Sequence, residues 1–306
     1  MKHRPAEQTP APSPTPTPTP NDAEIPHAIR RLPPLWFWLS VGAAVLAVAG
    51  SITGLLVPAR IYGKETATLF DAGIAQDLVN LFLVAPLTVV LAVLAVRGSS
   101  KAQLCLLGLL VFTAYNYAIY TFSIHFGPLF LLWVAVLGLA VFASAGTVAT
   151  LNTTELKAMF ARTPVRLPGW FLMVTAVLFA LLWLSEIVPD LLAGRPSTSA
   201  ASWNIPTSPV HVLDLAVLLP GVFATGLALL RRDWLGYATA AGALIFLGLT
   251  SLPILLTPFV AQAHGREPVW TIMAPMGIII LAVLVILWLW LRPGRMNPSA
   301  VSDDFS

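Results

Sequence analysis

His211 and Asp214 stand three residues apart, a spacing that puts both on one face of a helix. They follow Thr207, Ser208 and Pro209, residue types that begin helices. The positive end of such a helix favours an ionised Asp214 beside a neutral His211. A neutral imidazole takes a metal or accepts a proton. The pair therefore suits capture of a cationic ligand, or acid–base chemistry with or without a metal. The ordinary alternative is an Asp that satisfies free N–H groups in a first helical turn. Asp77 and Asn80 repeat the spacing on an earlier segment, with Gln76 adjacent. Asp77 has its own ordinary reading, as a charge at a helix start.

A third group stands at the same level. Asn80, Tyr120, Glu186 and Asp214 each lie about 16 residues from the basic end of their apolar run, roughly 24 Å at helical rise. Thr53 and Thr250 fall near that level. Tyr115, Asn116, Tyr117 and Tyr120 cluster on one run, where tyrosines also serve as interface anchors. An ionisable group costs about 2.5–3.5 kcal/mol at the centre of a bilayer and less near its edge. Glu186 and Asp214 are thus expected to face a bundle interior, water or a partner such as Arg195. His125 reads as a turn residue and His264 as a solvated one.

The elements that position these residues are eight apolar runs, at about 35–57, 75–96, 104–122, 128–150, 169–188, 209–230, 234–257 and 269–291. The chain has 306 residues, 57% hydrophobic and only 10% charged, against about 25% charged in a soluble domain. Backbone groups in lipid must bond within their own segment, and strand-like alternation is lacking. The expected fold is therefore all-α, an integral membrane bundle of eight transmembrane helices with the lipid bilayer as its solvent.

Charge sets the orientation. Lys2, Arg4, Arg30, Arg31, Arg97, Lys101, Lys157, Arg162, Arg166, Arg231, Arg232, Arg292 and Arg295 fall on one side, leaving only Arg60, Lys64, Arg195 and Arg266 on the other. That bias predicts both termini in the cytoplasm. Trp36, Trp38, Trp170, Trp234, Trp288 and Trp290 would form an interfacial belt on the cytoplasmic side. The net charge of +3 is topological and predicts no nucleic-acid partner. Cys105 is alone, so it reads as a small core residue.

Residues 1–33 form a separate region in which Thr9 to Pro20 alternate Pro with Thr, Ser and Ala, which predicts a disordered cytoplasmic tail, a spacer or a Pro-rich ligand for a protein partner. The run at 35–57 is too long for a signal peptide's core, so it reads as an uncleaved helix despite Ala47-Val48-Ala49. Gly50 and Gly54 in it form a GxxxG that admits a close neighbour. A shift of 134 residues overlays Asp77, Asn80, Pro86, Arg97, Gly108 and Phe112 on His211, Asp214, Pro220, Arg231, Gly242 and Phe246. The expected organisation is a four-helix unit at 34–151, a cytoplasmic linker at 152–166, a second four-helix unit at 167–292 and a short tail at 293–306. An even number of spans per unit makes the units parallel. Pro86 and Pro220 would kink the second helix of each.

Gln76-Asp77-Leu78-Val79, Pro86, Arg97-Gly98-Ser99, Tyr115 to Tyr120, His125 to Leu131 and Val210 to Leu215 resemble a family of uncharacterised bacterial multi-pass membrane proteins. The resemblance spans most of residues 58–235. It implies that these segments belong together and carries no activity. No Walker loop, HExxH, GxSxG or paired-His helix motif occurs, and no cofactor is called for. Three readings stay open. The first is a small polar or cationic ligand, or an ion, bound or transported through a pocket near the extracytoplasmic face and held by Asp77, Asn80, Tyr120, Glu186, His211 and Asp214. The second is a membrane-embedded enzyme built on His211 and Asp214. The third is a structural or assembly protein with no ligand.

Overall fold

A computed structural model describes residues 31–160 and 163–292. Among them, eight helices are long and apolar enough to cross a membrane. They are α1 (Pro34–Leu56), α2 (Ala67–Val96), α3 (Ser100–Ser123), α4 (Phe130–Ala149), α5 (Arg166–Leu192), α6 (Pro209–Leu230), α7 (Trp234–Ala263) and α8 (Trp270–Leu291). The Pro-rich tail and the last residues lie outside the described residues.

Local chemistry sets the helix starts. Pro34 and Pro209 occupy first helical positions, where no N–H is missed. Thr66, Ser99, Ser208 and Asp233 cap α2, α3, α6 and α7 by accepting from the N–H groups of Leu69, Ala102, His211 and Leu235. Three-residue turns join α2 to α3 and α6 to α7. In these turns Gly98 (φ 96°) and Arg232 (φ 56°) adopt left-handed backbone, and the next N–H closes back on Leu94 and Ala228.

Two spans extend furthest past an expected end. α2 starts at residue 67 rather than 75, and α7 runs to residue 263 rather than 257 in spite of Pro253 and Pro258. Asp77 thus sits three turns inside α2 and is no helix-start charge. Ahead of Pro86 and Pro220 each helix contains one π turn, Asn80–Val84 and Asp214–Leu218. There the N–H of Ala85 bonds the Asn80 carbonyl, and that of Leu219 bonds the Asp214 carbonyl. A π turn absorbs the register lost when proline lacks an N–H, and it re-aims the side chains beside it.

α3 is the most buried span, and α5 and α8 are the least. Helices α1 to α4 form a closed ring in which α1 packs along both α2 and α4. Helices α5, α6, α7 and α8 pack in series, but α5 and α8 meet at only a few residues. The two sets join chiefly through α3 and α7. A Cβ on Gly108 would fall 2.5 Å from the Gly242 Cα, so the two backbones cross with no side chain between them. One turn on, Phe112 and Phe246 meet edge to face at 6.3 Å.

The basic connections gather at one end. The Leu32 N–H reaches the Ala95 carbonyl, and Lys101 Nζ donates to the Leu291 carbonyl at 2.7 Å. A short helix, Thr153–Phe160, lies within the linker region, and its Phe160 clusters with Tyr237 and Trp290 at 5.9 and 4.9 Å, and these two meet each other at 6.2 Å. Trp290 is therefore a core residue and not a belt anchor, whereas Trp38, Trp170 and Trp288 stay exposed.

Candidate functional site

At the opposite end, four acidic residues serve as staples between connections. Glu65 accepts from the His125 N–H and approaches His125 Nδ1 at 3.0 Å. Asp71 holds His264 Nδ1 at 3.0 Å and Arg266 Nη2 at 2.8 Å, so His264 is partnered rather than merely solvated. Asp190 holds Arg195 and the start of the short helix Thr198–Trp203. Glu186 accepts from Ser197 Oγ, the Ser199 N–H and Ser199 Oγ at 3.1, 2.7 and 2.7 Å. Its carboxylate is engaged by that loop, and Arg195 belongs to Asp190.

Asp77 is buried among hydroxyl groups. Tyr62 Oη donates to its Oδ2 at 2.6 Å, Tyr120 Oη lies 3.1 Å from its Oδ1, and Ser51 stands beside it. Burial, then the Asp77 charge, pushes the Tyr62 hydroxyl well above the usual tyrosine range, which keeps it the donor. Gly54 makes the room: a Cβ there would overlap the Asp77 carboxylate and meet Tyr62 Oη at 2.9 Å. The GxxxG glycine thus admits a polar cluster instead of a second backbone. Tyr120 also stacks on Trp133 at 5.4 Å, and Asp77 is buried. Asn80 Oδ1 accepts from Gln76 Nε2 at 3.0 Å and from Asn116 Nδ2 at 3.5 Å.

Asp214 and His211 stand in a different setting. Both line a cavity of about 400 Å³ between α2, α3, α5, α6, α7 and α8. Trp183 Nε1 donates to Asp214 Oδ2 at 2.8 Å, and the Tyr115 hydroxyl stands beside the same carboxyl. The His211 ring lies against the Trp183 indole with centroids 4.7 Å apart. His211 Nε2 is buried with no partner, as is Ser123 Oγ on the same wall. No Lys or Arg pairs with Asp214 among the described residues. The remaining wall is largely apolar, with Phe112, Ile119, Phe179, Leu247 and Ile254 among it.

Of the six residues singled out by sequence, His211, Asp214 and Tyr120 line the cavity. Asp77 reaches it only through Tyr120, and Asn80 only through Gln76 and Asn116. Glu186 is not part of its lining. Trp183 and Tyr62, the direct donors to the two buried carboxyls, carried no sequence signal. Trp183 sits close enough to the end of its run to pass for an interfacial anchor, and Tyr62 lies in a connection.

No protein-family model, curated protein or solved structure matches the chain. The chain is a multi-pass all-α membrane protein, with eight long apolar helices among the described residues. Among the described residues no three His, Cys, Asp or Glu side chains group as a metal site would require.

Proposed function

We propose that the protein binds a small ligand with a cationic or hydrogen-bonding head in the cavity beside Asp214. The observation that carries this reading is the unpartnered His211 Nε2 next to a carboxylate without a cation, on the wall of a cavity of about 400 Å³. An unsatisfied buried polar atom costs about 1–3 kcal/mol, a penalty that a ligand donor removes. The cavity volume falls within the roughly 300–1,000 Å³ of small-molecule sites. Asp214 would hold the head, His211 and Tyr115 would orient it, and Tyr120 would close the far side. A thermal-shift titration with primary alkylamines tests this. Wild type is expected to gain Tm and Asp214→Asn to lose the gain; equal gains in both would remove Asp214 from the role.

We further propose that the chain is two parallel four-helix units, α1–α4 and α5–α8, related by a pseudo-twofold axis along the membrane normal. The 134-residue register supports this at levels beyond residue identity. Both π turns, both left-handed turn residues and both caps (Ser99 and Asp233) recur in it. Gly108 against Gly242, and Phe112 against Phe246, are contacts between register mates, as expected on a twofold axis. The proposed orientation keeps both termini cytoplasmic in a bacterial inner membrane. The gathering of Arg31, Arg97, Lys101, Arg231 and Arg292 at one end supports it. The cavity then lies toward the extracytoplasmic face.

A further inference from the structure

The route into this cavity is set by where its wall is thin. Helices α5 and α8 both contribute to the wall, yet they meet at only a few residues. They are also the least buried spans, so their other faces meet lipid. Leu182 lines the cavity and is still 53% exposed, which sets it at the margin of the cavity on the membrane face. Across the gap Ile272 and Met276 of the α8 segment line the same space. In α1–α4 the corresponding edge is shut by α1 packed along α4. Inside, the apolar wall narrows the choice of occupant, and Asp214 sets the sign of its head.

We infer that the ligand is a single-chain cationic amphiphile that enters from the bilayer between α5 and α8, its ammonium-type head on Asp214 and its chain along the gap. The inference rests on the proposed ligand-binding role of the cavity and adds the ligand's class and source. An apolar tail would cover the wall that a small hydrophilic cation leaves bare, and its partition from water into the bilayer would concentrate the ligand at the gap. Affinity should therefore climb with chain length. The carboxylate selects the head: a phosphate or sulfate head would meet a like charge at Asp214, and no Lys or Arg lines the cavity to offset it.

The test is photo-crosslinking of the full chain in phosphatidylcholine vesicles with a diazirine-tagged dodecylammonium, mapped by peptide mass spectrometry. The expected result is labelling at Leu182 or Met276, lowered about tenfold or more by Asp214→Asn. Untagged dodecylammonium should compete and butylammonium at the same aqueous concentration should not. If butylammonium competes equally, the ligand comes from water: the lateral route is overturned while the cavity reading stands. If labels spread over lipid-facing residues such as Leu181 and Leu284 and ignore Asp214→Asn, both fail. Leu182→Trp supplies a second variant on an exposed position, expected to cut labelling at Met276 without a change in Tm.

Discussion

The two halves of the bundle hold similar polar pairs to opposite ends. In α1–α4 the ring is closed, and the Asp77 carboxyl is enclosed by Tyr62 and Tyr120 hydroxyls with Gly54 against it. In α5–α8 the ring is open at α5 and α8, and Asp214 and His211 face a cavity with one imidazole nitrogen unmatched. The difference is a matter of side-chain size. In the proposed register Tyr117 and Tyr120 of α3 correspond to Ser251 and Ile254 of α7. The tyrosines pack at Asp77, with Tyr120 also forming part of the cavity wall, whereas the smaller Ser251 and Ile254 line the open space beside Asp214. Both carboxyls have side-chain donors; what separates them is the open space beside Asp214, onto which the unmatched His211 Nε2 also borders.

Substitutions can break or sharpen this contrast. The largest effect is expected at the crossing that both halves share. Gly108→Leu would drive a side chain into the Gly242 backbone, which has no rotamer to yield, and should cost more than the usual 1–3 kcal/mol of overpacking. Loss of a folded peak in detergent size-exclusion chromatography, or a fall in Tm well beyond the other variants, checks it. Next comes Tyr62→Phe. It strips a donor from buried Asp77 and should cost about 1–3 kcal/mol, read as a Tm shift, with alkylammonium binding intact. If binding fell with stability unchanged, Asp77 would belong to the ligand site after all. Smaller still is Glu186→Gln. It loosens the 197–203 loop by under about 1.5 kcal/mol and should speed proteolysis there while binding is retained.

Much of the fold was legible in the sequence because each span is an apolar run of bilayer length set off by charged or Gly/Pro-rich turns. The start of α2 was not, since Asp71 and Gly73 interrupt its apolar run; the structure matches Asp71 with His264 and Arg266. Depth along a helix was also legible, because rise per residue is fixed. That is why Tyr120, Asp214 and Thr250 do meet at one cavity. Direction around the helix was not. A span that is apolar on every side has no polar face to reveal its neighbours. So Asp77 and Asp214 read alike, Glu186 looked like a site residue, and Trp183 passed unnoticed. The π turns add to this, since each rotates the remainder of its helix by an amount that proline alone does not announce.

The most direct measurement of the central claim fills the second interior to resemble the first. The Ser251→Tyr and Ile254→Tyr double variant places two tyrosines where the register has Tyr117 and Tyr120. Dodecylammonium should raise the Tm of wild type and leave the double variant unchanged, while that variant keeps a cooperative melt within a few degrees of wild type. An undiminished ligand shift in the filled protein would contradict the account, since the ligand would then bind somewhere other than in this cavity.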